Sequence, residues 1–167
     1  KKSQIDYSYL PVGNGPNQRP SDKWTMPAAY YDVKLGGDLL HLFAVDSQDT
    51  GQGQLSDMQQ RVANSTATWK ITFAHHPRFT SGDHQADNAL LDGLTKFAQP
   101  PGMFALLEGI YCDTDMLMTG HDHNRELIDK GTDSNCPNTY FAISGAGAKT
   151  RSSDFSKVAG SLYYDET

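Results

Sequence analysis

Short apolar runs separated by polar, turn-forming stretches dominate the hydrophobic pattern of this chain. Two of these runs, Trp69–Ala74 and Asp115–Thr119, have the length and apolar character typical of buried strands. A hairpin is predicted ahead of them, from Tyr30–Leu35 through the turn Gly36-Gly37-Asp38 to the apolar run Leu39–Val45. The central part of the chain therefore predicts several strands close together in sequence.

Helical patterns alternate with these strands. Helices are predicted over Leu55–Asn64 (with Ser56 or Asp57 as a cap), over Ala86–Gln99 and over Met103–Ile110. The later sequence predicts a hairpin of Arg125–Asp129 and Thr139–Ser144. The glycine-rich turn Ser144-Gly145-Ala146-Gly147-Ala148 follows, where the backbone is expected to pass close to another part of the chain. A last strand is predicted over Gly160–Tyr164, with no partner after it. Residues 1–27 are predicted to be irregular. Strands that alternate with helices predict a layered α/β fold.

Histidines are concentrated directly after the two predicted buried strands. His75 and His76 follow the first strand, and His121 and His123 follow the second. Neutral imidazole is a good ligand for zinc and iron, and strand ends hold side chains rigidly. The pattern therefore predicts a metal site, and the spacing of His121 and His123 suits two ions roughly 3.5–4 Å apart that clamp a phosphoryl group. Only one of His75 and His76 is expected to face the metals, because neighbouring strand residues point to opposite sides.

Composition argues against several other classes of protein. The chain has 167 residues and a net charge of −6, and its basic residues are scattered, so no nucleic-acid partner is predicted. Its mean hydropathy is −0.58, and no apolar run approaches the roughly 18–20 residues that span a membrane. No membrane partner is predicted either. The length fits one domain with a real core.

The two cysteines, Cys112 and Cys136, flank the second histidine motif. The predicted hairpin after that motif can bring Cys136 near Cys112. A disulfide in an oxidising compartment and a pair of buried free thiols both remain open from the residues alone.

The order of the motifs resembles the purple (tartrate-resistant) acid phosphatases, which are calcineurin-like metallophosphoesterases. The two histidine motifs are followed by Ser144-Gly145-Ala146-Gly147, and Trp24-Thr25-Met26-Pro27 and Val45-Asp46-Ser47 also match. This order spans nearly all of residues 4–150. The resemblance implies a four-layer α/β/β/α sandwich, of which this single-domain portion is the C-terminal half. It also favours the Cys112–Cys136 disulfide and a secreted, periplasmic or lysosomal-type compartment.

The resemblance assigns a role to each candidate site residue. His75 and His121 become ligands of the second metal, and His123 becomes a ligand of the first, usually ferric iron. The two ions are expected to be iron paired with iron, zinc or manganese. His84 becomes a catalytic residue that contacts the phosphate or protonates the leaving group. The implied reaction is hydrolysis of a small phosphate monoester by a hydroxide that the two metals activate.

Several motifs of the family do not occur in this sequence. An aspartate opening the first strand, a bridging Gly-Asp-x-x-Tyr and a Gly-Asn-His are all missing, and Gly37-Asp38 lies in a predicted turn. The resemblance therefore implies that the N-terminal half of the same protein supplies them, and the chain by itself is expected to be inactive. Two alternatives remain: a phosphodiesterase of the same superfamily, and an inactive fragment that binds a single zinc weakly.

Other polar residues near the motifs are predicted to be structural. His76 is expected to form a wall of the site where relatives carry an aromatic residue. Asp122 is expected to hold its own loop through backbone hydrogen bonds, and Asp46 to support the site without binding metal. His41 is expected to be a hydrogen-bonded core histidine.

Overall fold

The computed structural model describes residues 1–84, 102–147 and 157–165, which fall into two compact units, residues 1–31 and 32–167. The first unit opens with helix α1 (Lys2–Ser8), whereas the sequence analysis predicts an irregular segment. An ion pair one turn apart, between Lys2 Nζ and Asp6 at 2.6 Å, accompanies the helix. Ser8 also donates a hydrogen bond to the carbonyl of Ile5 at 2.8 Å. These local contacts account for a helix that has no strong apolar periodicity.

A mixed seven-stranded sheet forms the centre of the second unit. Its strands are β1 (Tyr31–Leu35), β2 (Leu40–Ala44), β3 (Trp69–Phe73), β4 (Met116–Thr119), β5 (Arg125–Ile128), β6 (Tyr140–Ser144) and β7 (Ser161–Asp165). The order across the sheet is β1-β2-β3-β4-β6-β5-β7. The pairs β2–β3, β3–β4 and β4–β6 are parallel, and β5 is antiparallel to both β6 and β7. The α/β class is confirmed, and each predicted strand lies within one residue of the observed bounds.

Strand β7 differs from the prediction in its pairing. The sequence analysis leaves this strand without a partner after it, but β7 pairs with the earlier strand β5, placing Tyr164 opposite Glu126. Because β6 occupies only one side of β5, the other side remains free to bind β7.

Two further helices accompany the sheet, α2 (Gln52–Ala63) and α3 (Met103–Tyr111). Helix α2 begins earlier than predicted, so Ser56 is not its cap. Gly51 is the N-cap, and the Ser56 hydroxyl donates to the carbonyl of Gln52 at 2.9 Å inside the helix. Asp57 is also internal and pairs with Arg61 one turn later. The predicted helix Ala86–Gln99 lies outside the described residues.

The two faces of the sheet have different surroundings. On one face, three residues that are neighbours across β3, β4 and β6 are at most 2% exposed: Thr72, Leu117 and Phe141. Helix α3 packs against α2 and β3. On the opposite face, Trp69 is 54% exposed and Met118 is 39% exposed. One face of the sheet is therefore buried in a core, whereas the other face is apolar and partly exposed to solvent.

A disulfide joins Cys112, directly after α3, to Cys136 in the turn between β5 and β6. This pairing confirms the expectation taken from the resemblance. Within residues 1–84, 102–147 and 157–165, no helix has both the length and the apolar character to cross a membrane.

Candidate metal centre

The candidate site lies where the parallel strands end. Parallel strands bring their carboxyl ends to one edge of the sheet, so the loops after β2, β3, β4 and β6 meet there. The backbone N–H of Gly120 donates to the carbonyl of His75 at 3.1 Å, and that of Ala74 donates to Met118 at 3.0 Å. These bonds hold the two histidine loops side by side.

Three imidazoles come together at this edge, those of His75, His76 and His121. Each offers one ligand nitrogen, and the three nitrogens lie within 4.8 Å of one another. The ring centroids are 4.7–4.8 Å apart, and His121 Nδ1 lies 2.9 Å from His75 Nε2. His121 has a φ of 69°, a left-handed conformation that is uncommon for a residue other than glycine. Such strain persists only where surrounding contacts enforce it.

His76 belongs to this cluster, although the sequence analysis expects only one of the adjacent histidines to face it. Strand β3 ends at Phe73, so His75 and His76 lie in the following loop, where strict alternation of side chains no longer applies. His76 is 7% exposed, and its Nδ1 is 2.7 Å from the hydroxyl of Ser47 in the loop after β2.

Crowding and burial keep these imidazoles neutral. Desolvation lowers the pKa of His76 to about 4, and the neighbouring positive charges of His75 and His84 add to this effect. Desolvation likewise lowers the pKa of His121 to about 4. The pKa of His75 is lowered by desolvation and then by the charge of His84. Neutral imidazole is the form that binds metal ions.

His84 stands beside the cluster and is held by Asp122. The two rings of His84 and His121 have centroids 4.0 Å apart. The buried Asp122 carboxylate accepts bonds from the His84 backbone N–H at 3.1 Å, from His84 Nδ1 at 2.5 Å and from the Thr80 hydroxyl at 2.5 Å. A Cβ on Gly82 would lie 2.6 Å from Asp122 Cγ, so the loop can approach this carboxylate only because residue 82 is glycine. Asp122 therefore has a structural role, as predicted, but the loop that it holds is that of Thr80 and His84 rather than its own.

A second buried carboxylate, Glu126 in β5, anchors the same loop and was missed by sequence reasoning. It accepts bonds from the backbone N–H of Ser81 at 2.8 Å, the Ser81 hydroxyl at 2.5 Å and the Ser161 hydroxyl at 2.8 Å. The signal available was an acidic residue at an inward position of a strand that otherwise alternates normally.

His123 occupies a different position from the three clustered histidines. Its Nδ1 is buried and has no hydrogen-bond partner, and the residue is not part of the group that can share an ion. The assignments of His75, His121 and His123 as metal ligands, and of His84 as a catalytic residue, therefore stay predictions.

The glycine-rich turn after β6 completes this edge. A Cβ on Gly145 would lie 1.8 Å from the carbonyl oxygen of Asp122, and Gly145 N donates to Asn124 O at 3.1 Å. The predicted close passage of the backbone is therefore real, and the neighbour is the second histidine loop. His41, by contrast, lies away from the cluster, where it contacts Ser65 at 2.8 Å and Asp32 at 2.7 Å, as expected of a core histidine.

The donor set fits one metal ion. Three imidazole nitrogens with an open fourth position are a common arrangement in catalytic zinc sites. The orphaned Nδ1 of His123 is a further candidate donor, but the described part of the chain gathers just the single three-residue group. Two ions would need donors beyond this group.

Comparison with known proteins supports the resemblance seen in the motifs. No family model matches the chain. Purple acid phosphatase 17 of Arabidopsis thaliana is 28% identical over 116 residues, which cover 66% of this chain and 30% of the phosphatase. The chain thus spans about a third of the curated relative that it matches.

Two solved structures share the fold. GAP50, described as the anchor in the inner membrane complex of Plasmodium, matches with a TM-score of 0.65 at 18% identity over 99% of this chain and 50% of its own. PhoD matches with a TM-score of 0.55 at 9% identity over 88% of this chain and 35% of its own.

The mixed sheet with a histidine cluster at its parallel strand ends has an α/β fold that these two structures share. In sequence, the chain is similar to a purple acid phosphatase over 66% of its length, in agreement with the resemblance of its motifs.

Proposed function

We propose that the complete protein hydrolyses phosphate monoesters with the help of two metal ions. The observation that carries this proposal is the cluster of three neutral imidazoles beside His84, at the edge where the parallel strands end. Similarity to a purple acid phosphatase supports the class of reaction.

In this proposal His75 and His121 bind one ion and His123 binds the other. Bound ions of this kind polarise phosphoryl oxygens and lower the pKa of water toward about 7. The protein's contribution is to hold neutral imidazoles in place before the ion arrives. Burial of His121 and the hydrogen bonds between the histidine loops supply that arrangement.

His84 is proposed to give a proton to the leaving group. Asp122 accepts a hydrogen bond from Nδ1 of His84, so Nε2 is the nitrogen that can carry a proton toward the substrate. As the phosphorus–oxygen bond breaks, the alkoxide takes this proton from Nε2 and leaves as an alcohol. The hydrogen bond to Asp122 holds the ring in the orientation that this donation needs.

The remaining ligands are proposed to come from the N-terminal half of the same protein. The exposed apolar face that contains Trp69 and Met118 supports this, because a large uncovered apolar face usually marks a contact surface. The disulfide and the similarity to a purple acid phosphatase are compatible with an extracytoplasmic compartment, which we propose as the location.

The first test is the intact mass and the metal content of the purified material, followed by assays with 4-nitrophenyl phosphate and its bis-ester. We expect two metals and monoester hydrolysis when both halves are present, and loss of hydrolysis after chelation. The variant His84→Gln should lower kcat roughly 10²–10⁴-fold with the metal content unchanged. Preference for the bis-ester would favour the phosphodiesterase alternative. No turnover in the presence of both halves and two metals would overturn the proposal.

A further inference from the structure

His76 makes contacts that a residue merely lining the site would not require. It is nearly buried, its Nδ1 lies 2.7 Å from the Ser47 hydroxyl, and one of its ring nitrogens belongs to the three-imidazole group. We infer that His76, oriented by Ser47, is a metal ligand, and that His75, His76 and His121 hold one divalent ion without help from any other chain. This inference deepens the proposed function by naming a ligand set within this chain.

The contact with Ser47 determines which nitrogen of His76 is available. The Ser47 oxygen also accepts from the backbone N–H of His76 at 3.4 Å. The ring contact takes its direction from the tautomer of His76, and the tautomer that binds metal through Nε2 is the one whose Nδ1–H donates to Ser47. A ring Nδ1–H that donates to Ser47 leaves Nε2 with its lone pair free. Histidines that bind metals almost always donate their second ring N–H to such a partner, which sets the tautomer and the ring orientation.

Ser47 is itself held firmly in place. The loop after β2 is fixed by the buried side chain of Gln54 in α2, whose amide donates to the carbonyls of Asp46 at 3.0 Å and Asp49 at 2.5 Å. Gln54 Oε1 also accepts from the backbone N–H of Asp46 at 2.8 Å. Ser47 is 2% exposed and cannot follow a moving ring out to solvent. The orientation of His76 therefore exists before an ion binds.

The spacing of the three nitrogens suits a single ion. Ligands about 2.0–2.1 Å from zinc in a tetrahedron lie about 3.3 Å from each other. His121 Nδ1 and His75 Nε2 are 2.9 Å apart, and no pair of ligand atoms in the group exceeds 4.8 Å. The tetrahedral spacing lies between these two distances. His123, in contrast, is outside the group, and its buried Nδ1 has no partner.

The decisive experiment is a zinc titration of this chain by competition with a chelator, without a histidine tag. We compare His76→Gln with His41→Gln, which replaces a histidine away from the cluster, as the matched control. The inference expects one zinc per chain, a large loss of affinity in His76→Gln, and an unchanged dissociation constant in His41→Gln. If His76→Gln keeps the affinity of the parent, or if His41→Gln loses as much affinity as His76→Gln, the inference is wrong.

Ser47 offers a second, milder variant. Removal of an outer hydrogen-bond partner typically costs roughly 10- to 100-fold in metal affinity, so Ser47→Ala should weaken zinc binding by that factor and Ser47→Thr should restore it. The visible absorption of Co²⁺ bound in place of zinc reports a change in coordination that a loss of stability alone would not produce. If His76→Gln does not fold by circular dichroism, the Ser47 pair decides, and unchanged affinity in Ser47→Ala overturns the inference. Because no readout is hydrolysis, an absence of phosphatase activity leaves this result intact.

Discussion

A histidine cluster (His75, His76 and His121) and a pair of buried carboxylates (Asp122 in the second histidine loop and Glu126 in β5) lie at the same edge of the sheet, and these two regions are built in opposite ways. The carboxylates are 1% and 3% exposed, and each accepts at least three hydrogen bonds. The histidines instead crowd one another, and burial lowers the pKa of two of them to about 4.

The difference shows how the site is stabilised. A buried carboxylate with all its donors contributes to folding, because breaking any one bond leaves a buried polar group unsatisfied. Partly buried imidazoles that are close to each other contribute little until a ligand occupies them. The carboxylates therefore stabilise the loops in the folded chain. The histidines are held in an arrangement whose stability increases when an ion binds.

Removal of the disulfide should have the largest effect and should weaken both regions together. Cys112 and Cys136 are 24 residues apart, and the loop they close contains His121, Asp122 and Glu126. Loop-closure entropy predicts a loss of about 3.5 kcal/mol in the free energy of unfolding for the double Cys→Ser variant. Urea denaturation measures this loss. A midpoint unchanged from the parent would show that the disulfide does not stabilise this edge.

Replacement of Glu126 should separate the two regions. Glu126→Ala leaves the Ser81 N–H and two hydroxyls without their acceptor, so we expect a loss of about 3 kcal/mol in the free energy of unfolding. Glu126→Gln keeps one acceptor oxygen and should lose less. Zinc affinity measured under folding conditions should stay the same in both variants, since none of the clustered histidines contacts Glu126 in the described hydrogen bonds. An affinity loss that parallels the stability loss would contradict this separation.

Acid should produce the smallest effect, confined to the histidine region. The pKa of His76 and of His121 is about 4 in the folded chain and near the ordinary value of 6.5 in the unfolded chain. The unfolded chain therefore binds more protons between these values, and stability is complete above about pH 6.5 and falls as the pH approaches 4. For the metal-free chain we expect a loss on the order of 1 kcal/mol between about pH 6.5 and 6, measured by urea denaturation with chelator present.

A variant and a ligand isolate this histidine contribution from that of the carboxyl groups. His76→Gln should reduce the slope of stability against pH in the same window. Saturating zinc should raise stability throughout this window with little change in slope, because the folded nitrogens already lack protons there. Identical slopes for the parent and His76→Gln would contradict the assignment of the pH effect to His76.

Much of the fold could be read from the sequence because its signals are local. Apolar runs bounded by turn residues located the strands to within one residue, and helix α3 followed from its continuous apolar character. The helices were harder at their beginnings. Helix α2 begins at Gln52, one turn before the predicted cap Ser56. Helix α1 has no apolar periodicity, and an ion pair accompanies it.

The sequence alone determined that histidines follow two neighbouring buried strands, and parallel pairing made their meeting at one edge expected. Only the tertiary structure decided which ring nitrogens share a site. His76 belongs to the cluster because it lies after the end of strand β3. Ser47, 29 residues earlier in the chain, contacts His76 because β2 and β3 are adjacent in the sheet. The roles of Asp122 and Glu126 were likewise decided by donors about 40 residues away. Side-chain contacts between loops depend on the packing of the whole sheet, and no local pattern of residues encodes that packing.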